Sequence, residues 1–86
     1  MYRIDLTAKA RRQLKSFSPD TRDRLLHALH ALAGDPRPAG CKALAGAHGV
    51  YRIRVSDYRI IYEIHDDILV VIVVTIGHRS SVYKSH

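Results

Sequence analysis

The spacing of apolar and polar positions changes period once along this chain, separating a helical first half from a stranded second half. Tyr2-Arg3-Ile4-Asp5-Leu6 alternates, which predicts a short opening strand. Thr7 then stands where a helix cap is needed. After it Ala10, Leu14 and Phe17 recur at helical spacing, while Lys9, Arg12 and Lys15 fall away from that stripe. One side of this helix packs and another is basic. Ser18-Pro19-Asp20 starts a second helix, with a capping hydroxyl, proline at the first helical position and an acid where the helix dipole favours it. That helix is expected to run to about Ala33, burying a stripe of Arg22, Leu25, Leu26, Leu29 and Leu32, until Gly34-Asp35-Pro36 stops it.

Residues 34–48 are rich in helix breakers and predict a surface loop pinned by Leu44. From Val50 the period is two. Val50-Tyr51-Arg52-Ile53-Arg54-Val55 and Tyr58-Arg59-Ile60-Ile61-Tyr62-Glu63-Ile64 read as strands joined by Ser56-Asp57, short enough for a tight hairpin. Ile68 to Ile76 is a continuous apolar run, as in a strand covered on both faces, and Gly77 ends it. The expected fold is α+β in the order β-α-α-β-β-β: an antiparallel sheet with a two-helix hairpin on one face, the other face open.

A two-residue loop at Ser56-Asp57 pairs Val55 with Tyr58, Arg54 with Arg59, Ile53 with Ile60, Arg52 with Ile61 and Tyr51 with Tyr62. Arg52, Arg54 and Arg59 then share one face, and the apolar and aromatic residues share the other. A slip of one residue would bury the arginines, so the pattern itself supports this register. Like charges opposite one another on a sheet are destabilising. Arg54 facing Arg59 is therefore either a solvated surface relieved by Glu63, or an anion site in which a phosphate turns repulsion into charge-assisted hydrogen bonds.

Composition narrows the partners. The 86 residues carry 14 Lys plus Arg against 8 Asp plus Glu, a formal charge of +6, which favours nucleic acid, anionic membrane or an acidic protein. Cutting the chain after Asp35 leaves seven basic and four acidic residues in each part, so any basic patch is made by folding and not by a tail. The length suits one domain spanning residues 1–86. Cys41 is the sole cysteine, which excludes an internal disulfide and suits a reducing cytoplasm. The opening residues lack a signal-peptide core and no run spans a bilayer, so no membrane partner is expected.

Several segments, in order, resemble the RelE/ParE toxin superfamily and its RelE branch in particular. They are Tyr2 to Phe17, the Lys42-Ala43-Leu44-Ala45-Gly46 anchor, Tyr51-Arg52-Ile53-Arg54-Val55, Asp57-Tyr58-Arg59-Ile60-Ile61-Tyr62, and Gly77-His78-Arg79 through Val82-Tyr83. The resemblance implies a RelE-like, microbial-RNase-like fold. It also implies a toxin that cleaves mRNA in the ribosomal A site without metal or other cofactor, and that a cognate antitoxin neutralises. Carried over by position, Arg52 and Arg54 match two basic residues of the second strand, Arg59 the hairpin arginine, Arg79 the basic residue after the last strand, and Tyr83 the terminal tyrosine. The family reaction uses the RNA 2′-hydroxyl as nucleophile. Lys9, Arg12, Lys15 and Lys42 are candidates for holding RNA backbone.

The founding member carries lysine at the first two of those positions, and arginine, always protonated, cannot replace it as a base. Tyr83 is the first candidate for that duty, because neighbouring arginines favour its phenolate, and His78 is the second. His27 and His30 lie three apart on the second helix but have no third ligand nearby, so a metal is not expected. Asp66 and Asp67 read as turn residues. Two other functions share the predicted fold: a ParE-like poison of DNA gyrase without nuclease activity, and an inactive domain that only docks on RNA or a partner.

Overall fold

The computed structural model describes residues 1–78. Seven elements follow one another: β1 (Arg3–Leu6), α1 (Ala8–Ser16), α2 (Pro19–Gly34), β2 (Lys42–Ala43), β3 (Val50–Val55), β4 (Tyr58–His65) and β5 (Val70–His78). The strands form one sheet in the order β1-β5-β4-β3-β2. The expected meander of β3, β4 and β5 is antiparallel. β1, however, joins β5 in parallel, so the sheet is mixed where an antiparallel one was expected.

Both helix starts follow from their sequences. Thr7 caps α1 by accepting from the Ala10 N–H, and Ser18 caps α2 by accepting from the Thr21 N–H, with Pro19 next in line. The tight link between them is closed by Arg22, whose guanidinium donates to the carbonyls of Leu14, Lys15 and Phe17. It thereby satisfies the exposed carbonyl end of α1 and complements its dipole. Arg22 thus reaches out of the stripe in which it was expected to pack.

Both helices cover one face of the sheet. Ala10, Leu14, Leu25, Leu29 and Leu32 interlock with Ile53, Ile60, Tyr62, Ile64, Val71, Val73 and Ile76. Each fully buried aliphatic side chain in that layer contributes roughly 1.5–3 kcal/mol. Leu26, expected in the stripe, is instead exposed. It follows Leu25 by 100° around the helix, which carries it past the edge of the contact.

Two expectations about the strands also shift. The loop after α2 contains a short strand, β2, that pairs with Arg52 and Tyr51 at the sheet edge. Leu44 is half-buried there and donates its N–H to the Val50 carbonyl. β5 begins at Val70, two residues later than expected. Ile68 and Leu69 remain in the turn, both exposed, with Leu69 at φ 55°.

Candidate nucleic-acid interface

The β3–β4 hairpin has the register expected from its loop, including Arg54 opposite Arg59 and Arg52 opposite Ile61. Ser56 adopts φ 56°, the left-handed first position that lets two residues connect twisted strands. Because directly opposed residues point the same way, the pairing lays out rows across the face away from the helices. One row is Arg54–Arg59–Gly77, from β3 through β4 to β5. The next is Lys42–Arg52–Ile61–Thr75. Lys42, Arg52, Arg54 and Arg59 therefore form one basic block over three strands.

Depth within that block is uneven. Arg54 and Lys42 are exposed and Arg52 is half-buried, whereas Arg59 retains only 8 % of its accessible surface. Among the described residues the Arg59 Nε has no hydrogen-bond partner. Alternation predicted an open surface at this point, and the structure has a sunken cation instead. Arg59 lies on the middle strand, between neighbours on both sides, and Gly77 opposite it offers backbone alone. Glu63, expected to relieve the arginines, is engaged with His65 at 2.9 Å.

A buried N–H that the described residues leave without a partner, beside a second guanidinium, is a donor still open to an acceptor. A phosphate group satisfies it, offering several acceptors to planar donors that match its oxygens. Carboxylates do so less fully, having two oxygens in place of three.

A family model described as the ParE toxin of the type II toxin-antitoxin system parDE matches residues 4–83. The chain belongs to the RelE/ParE toxin family. It is similar in structure to the isolated RelE toxin of E. coli, with 30% identity, 98% of this chain and 93% of that one covered, and a TM-score of 0.81. RelE in the E. coli RelBE toxin-antitoxin complex is 26% identical over 91% of this chain and 96% of that one, at a TM-score of 0.80. The archaeal RelE–RelB complex of Pyrococcus horikoshii OT3 gives 25%, 91%, 94% and 0.81 for the same quantities. Curated protein sequences gave no match.

Other candidate residues of this RelE/ParE toxin fall elsewhere. His78 pairs with Tyr58, and their rings meet edge to face at 5.8 Å. Tyr58 in turn packs on Phe17, at the end of α1, with ring centroids 5.0 Å apart. His78 therefore stands on the helical side, across the sheet from Arg54 and Arg59. Lys9, Arg12 and Lys15 are exposed on α1, likewise in the helical layer, and make a second basic area separate from the arginine block. Arg79 and Tyr83 lie outside the described residues.

Tyr62 is unavailable as a phenolate. Burial pushes its hydroxyl well above the ordinary tyrosine range, and that hydroxyl donates to the Pro36 carbonyl at 2.8 Å. His27 and His30 are both exposed, and among the described residues no three metal-ligating side chains converge. No described helix is long and apolar enough to cross a membrane.

One cluster was invisible in the sequence. Arg37 grips Asp66 through both guanidinium nitrogens at 2.8 and 3.2 Å and lies over the Tyr51 ring, while Tyr2 donates its hydroxyl to the same carboxylate. It ties the loop after α2 to the residue preceding β1 and to the β4–β5 turn. Hydrogen bonds from Arg37 and then Tyr2 pull the Asp66 carboxyl down to about 2. Asp66 has the turn position expected of it, but its partners are separated from it by 29 and 64 residues, beyond any local pattern.

Proposed function

We propose that this toxin is a metal-independent endoribonuclease that cleaves mRNA in the ribosomal A site and so inhibits translation in the cytoplasm. The observation that carries the reading is Arg59: a buried guanidinium whose Nε has no partner among the described residues, facing Arg54 in a block completed by Arg52 and Lys42. In-line attack on an RNA phosphodiester forms the bond from the 2′-oxygen to phosphorus and breaks the bond to the 5′-oxygen. The products are a 2′,3′-cyclic phosphate and a free 5′-hydroxyl. Charge accumulates on the non-bridging oxygens, where preorganised cations are worth most.

Arg52, Arg54 and Arg59 bind and neutralise that phosphate, with Arg79 as a further cation for the same charge. None of the arginines can remove the 2′ proton. Tyr83 takes that role in preference to His78, whose ring is across the sheet. Lys42 guides RNA onto the block, while Lys9, Arg12 and Lys15 hold ribosomal RNA from the helical side. The partners are the ribosome, its mRNA and a cognate antitoxin; several of the similar toxins were solved with RelB antitoxins.

A ParE-type poison of DNA gyrase is the competing reading, favoured by the description of the matching family. A translating extract with a defined mRNA separates the two. Cleavage within codons at the A site, with cyclic-phosphate 3′ ends, supports the nuclease. Intact mRNA together with stabilised gyrase–DNA cleavage complexes overturns it. Ribosome binding with intact mRNA and no effect on gyrase leaves a docking domain.

A further inference from the structure

Gly77 faces Arg59 because β5 contains a bulge. From Tyr58↔His78 to Ile61↔Thr75 the strands keep one register, and from Tyr62↔Val73 onward they keep another, so that Val74 has no partner on β4. The consequence appears when the bulge is removed in thought. In the continuous register Ile60 would face Thr75, Arg59 would face Ile76 and Tyr58 would face Gly77. A hydroxyl would enter the core, and an isoleucine side chain would stand beside Arg59. In the bulged register Ile76 is completely buried under the helices and Gly77 leaves room beside the arginine.

α1 holds the bulge in place. β1 covers the outer edge of β5 only as far as Val73. Past that point the edge of β5 is met by two side chains from the helix. Thr7, while capping α1, donates its hydroxyl to the Val74 carbonyl at 2.8 Å. Gln13 Oε1 accepts from the Ile76 N–H at 2.8 Å and from the Thr75 hydroxyl at 3.1 Å. A backbone N–H can only donate, so the atom facing it must be the amide oxygen of Gln13.

We propose that Gln13 is a positioning residue for the arginine block: its amide oxygen, with Thr7, locks the β5 bulge that sets Gly77 beside Arg59. This rests on the nuclease reading for its consequence in catalysis, though not for the bulge itself. Gln13 acts through the backbone and touches no substrate. What it supplies is an acceptor, and neither its amide nitrogen nor its volume is required. That makes two nearly isosteric replacements behave oppositely: Gln13→Glu keeps the acceptor and Gln13→Met removes it.

The test pairs a structural readout with a kinetic one, both on the full chain. By amide hydrogen exchange, Gln13→Met loses protection at Ile76 and shifts the resonances of Thr75, Gly77 and His78, while Gln13→Glu leaves them near the parent protein. On programmed ribosomes, Gln13→Met lowers the single-turnover cleavage rate by about 100-fold, the penalty of a small misplacement of catalytic groups, with ribosome affinity unchanged. Gln13→Glu restores the rate. Continued protection of Ile76 in Gln13→Met, cleavage by Gln13→Met at the parent rate, or failure of Gln13→Glu to rescue overturns the proposal. A parent protein that cuts no mRNA defeats the nuclease reading instead, and the Ile76 exchange then decides on the bulge lock alone.

Discussion

Replacing Arg59 with methionine is expected to make the protein more stable and inactive at once. Arg59 is 8 % exposed, its Nε has no partner among the described residues, and Arg54 stands directly across from it. A buried polar group left unsatisfied costs about 1–3 kcal/mol. A like-charge pair across strands adds roughly a few tenths to 1 kcal/mol. Methionine keeps an unbranched stem of similar reach, adapts to irregular space, and removes both penalties. Against this stands incomplete filling of the guanidinium's volume, on the order of 1 kcal/mol. The balance is a gain of about 0.3–3 kcal/mol, and for a domain of this size each kcal/mol raises Tm by about 4–8 °C.

Activity moves the other way, because removing one preorganised donor from a transition-state oxyanion costs about 10²–10³ in rate. Thermal melts followed by circular dichroism, together with cleavage on programmed ribosomes, read both quantities from one preparation. Arg59→Lys provides a control, since it keeps the charge without the planar fork and should be intermediate in rate. A lower Tm for Arg59→Met would mean that the arginine is satisfied in the folded protein. Unimpaired cleavage would remove it from the chemistry.

The exposed members of the block should show themselves in salt dependence: Arg54→Ala or Lys42→Ala reduces the slope of log affinity for RNA against log salt by about 0.7–1, and an unchanged slope removes that residue from phosphate contact. Tyr83→Phe should slow cleavage and abolish the rise in rate as the phenol ionises; an unaltered pH–rate profile excludes it as the base. The Asp66 clasp gives a pH prediction of definite sign. Its folded carboxyl sits at about 2, below the ordinary 3.8, so its contribution is fully present above the ordinary value and is lost as pH falls towards 2. Acid titration followed by circular dichroism should therefore show a steeper loss of stability across that window in the parent than in Asp66→Asn; coincident curves refute the clasp.

How legible these features were in the sequence depended on the range of the interaction that decides each. The hairpin register could be read from residues 50–64 because a two-residue loop and a period of two leave one solution that keeps the arginines out of the core. Both helix caps were equally local. Arg59's burial was not legible, because alternation assigns a face but says nothing of depth on that face. The bulge was hidden for a different reason: Val70 to Val74 is uniformly apolar and β-branched, with nothing to mark an extra residue, and the groups that hold it lie more than 60 positions away, on α1 and its cap. The Arg37–Asp66–Tyr2 clasp and the parallel pairing of β1 are long-range in the same way.

The uneven depth of the arginine block also separates two tasks that the sequence presents as one. Exposed Arg54 and Lys42 must shed water when they meet a phosphate, so much of their attraction is screened and depends on salt. Folding leaves Arg59 only 8 % exposed, so the cost of withdrawing it from solvent is met on folding. An anion reaching its Nε gains a hydrogen bond in a low-dielectric position without that desolvation being repeated, which is the condition under which a fixed cation stabilises charge that develops during reaction. If the proposed nuclease reading holds, the surface residues would govern arrival of RNA and Arg59 the chemical step. The protein bears the cost as folding stability, in a sheet whose central strand carries an arginine with an Nε that the described residues leave unsatisfied.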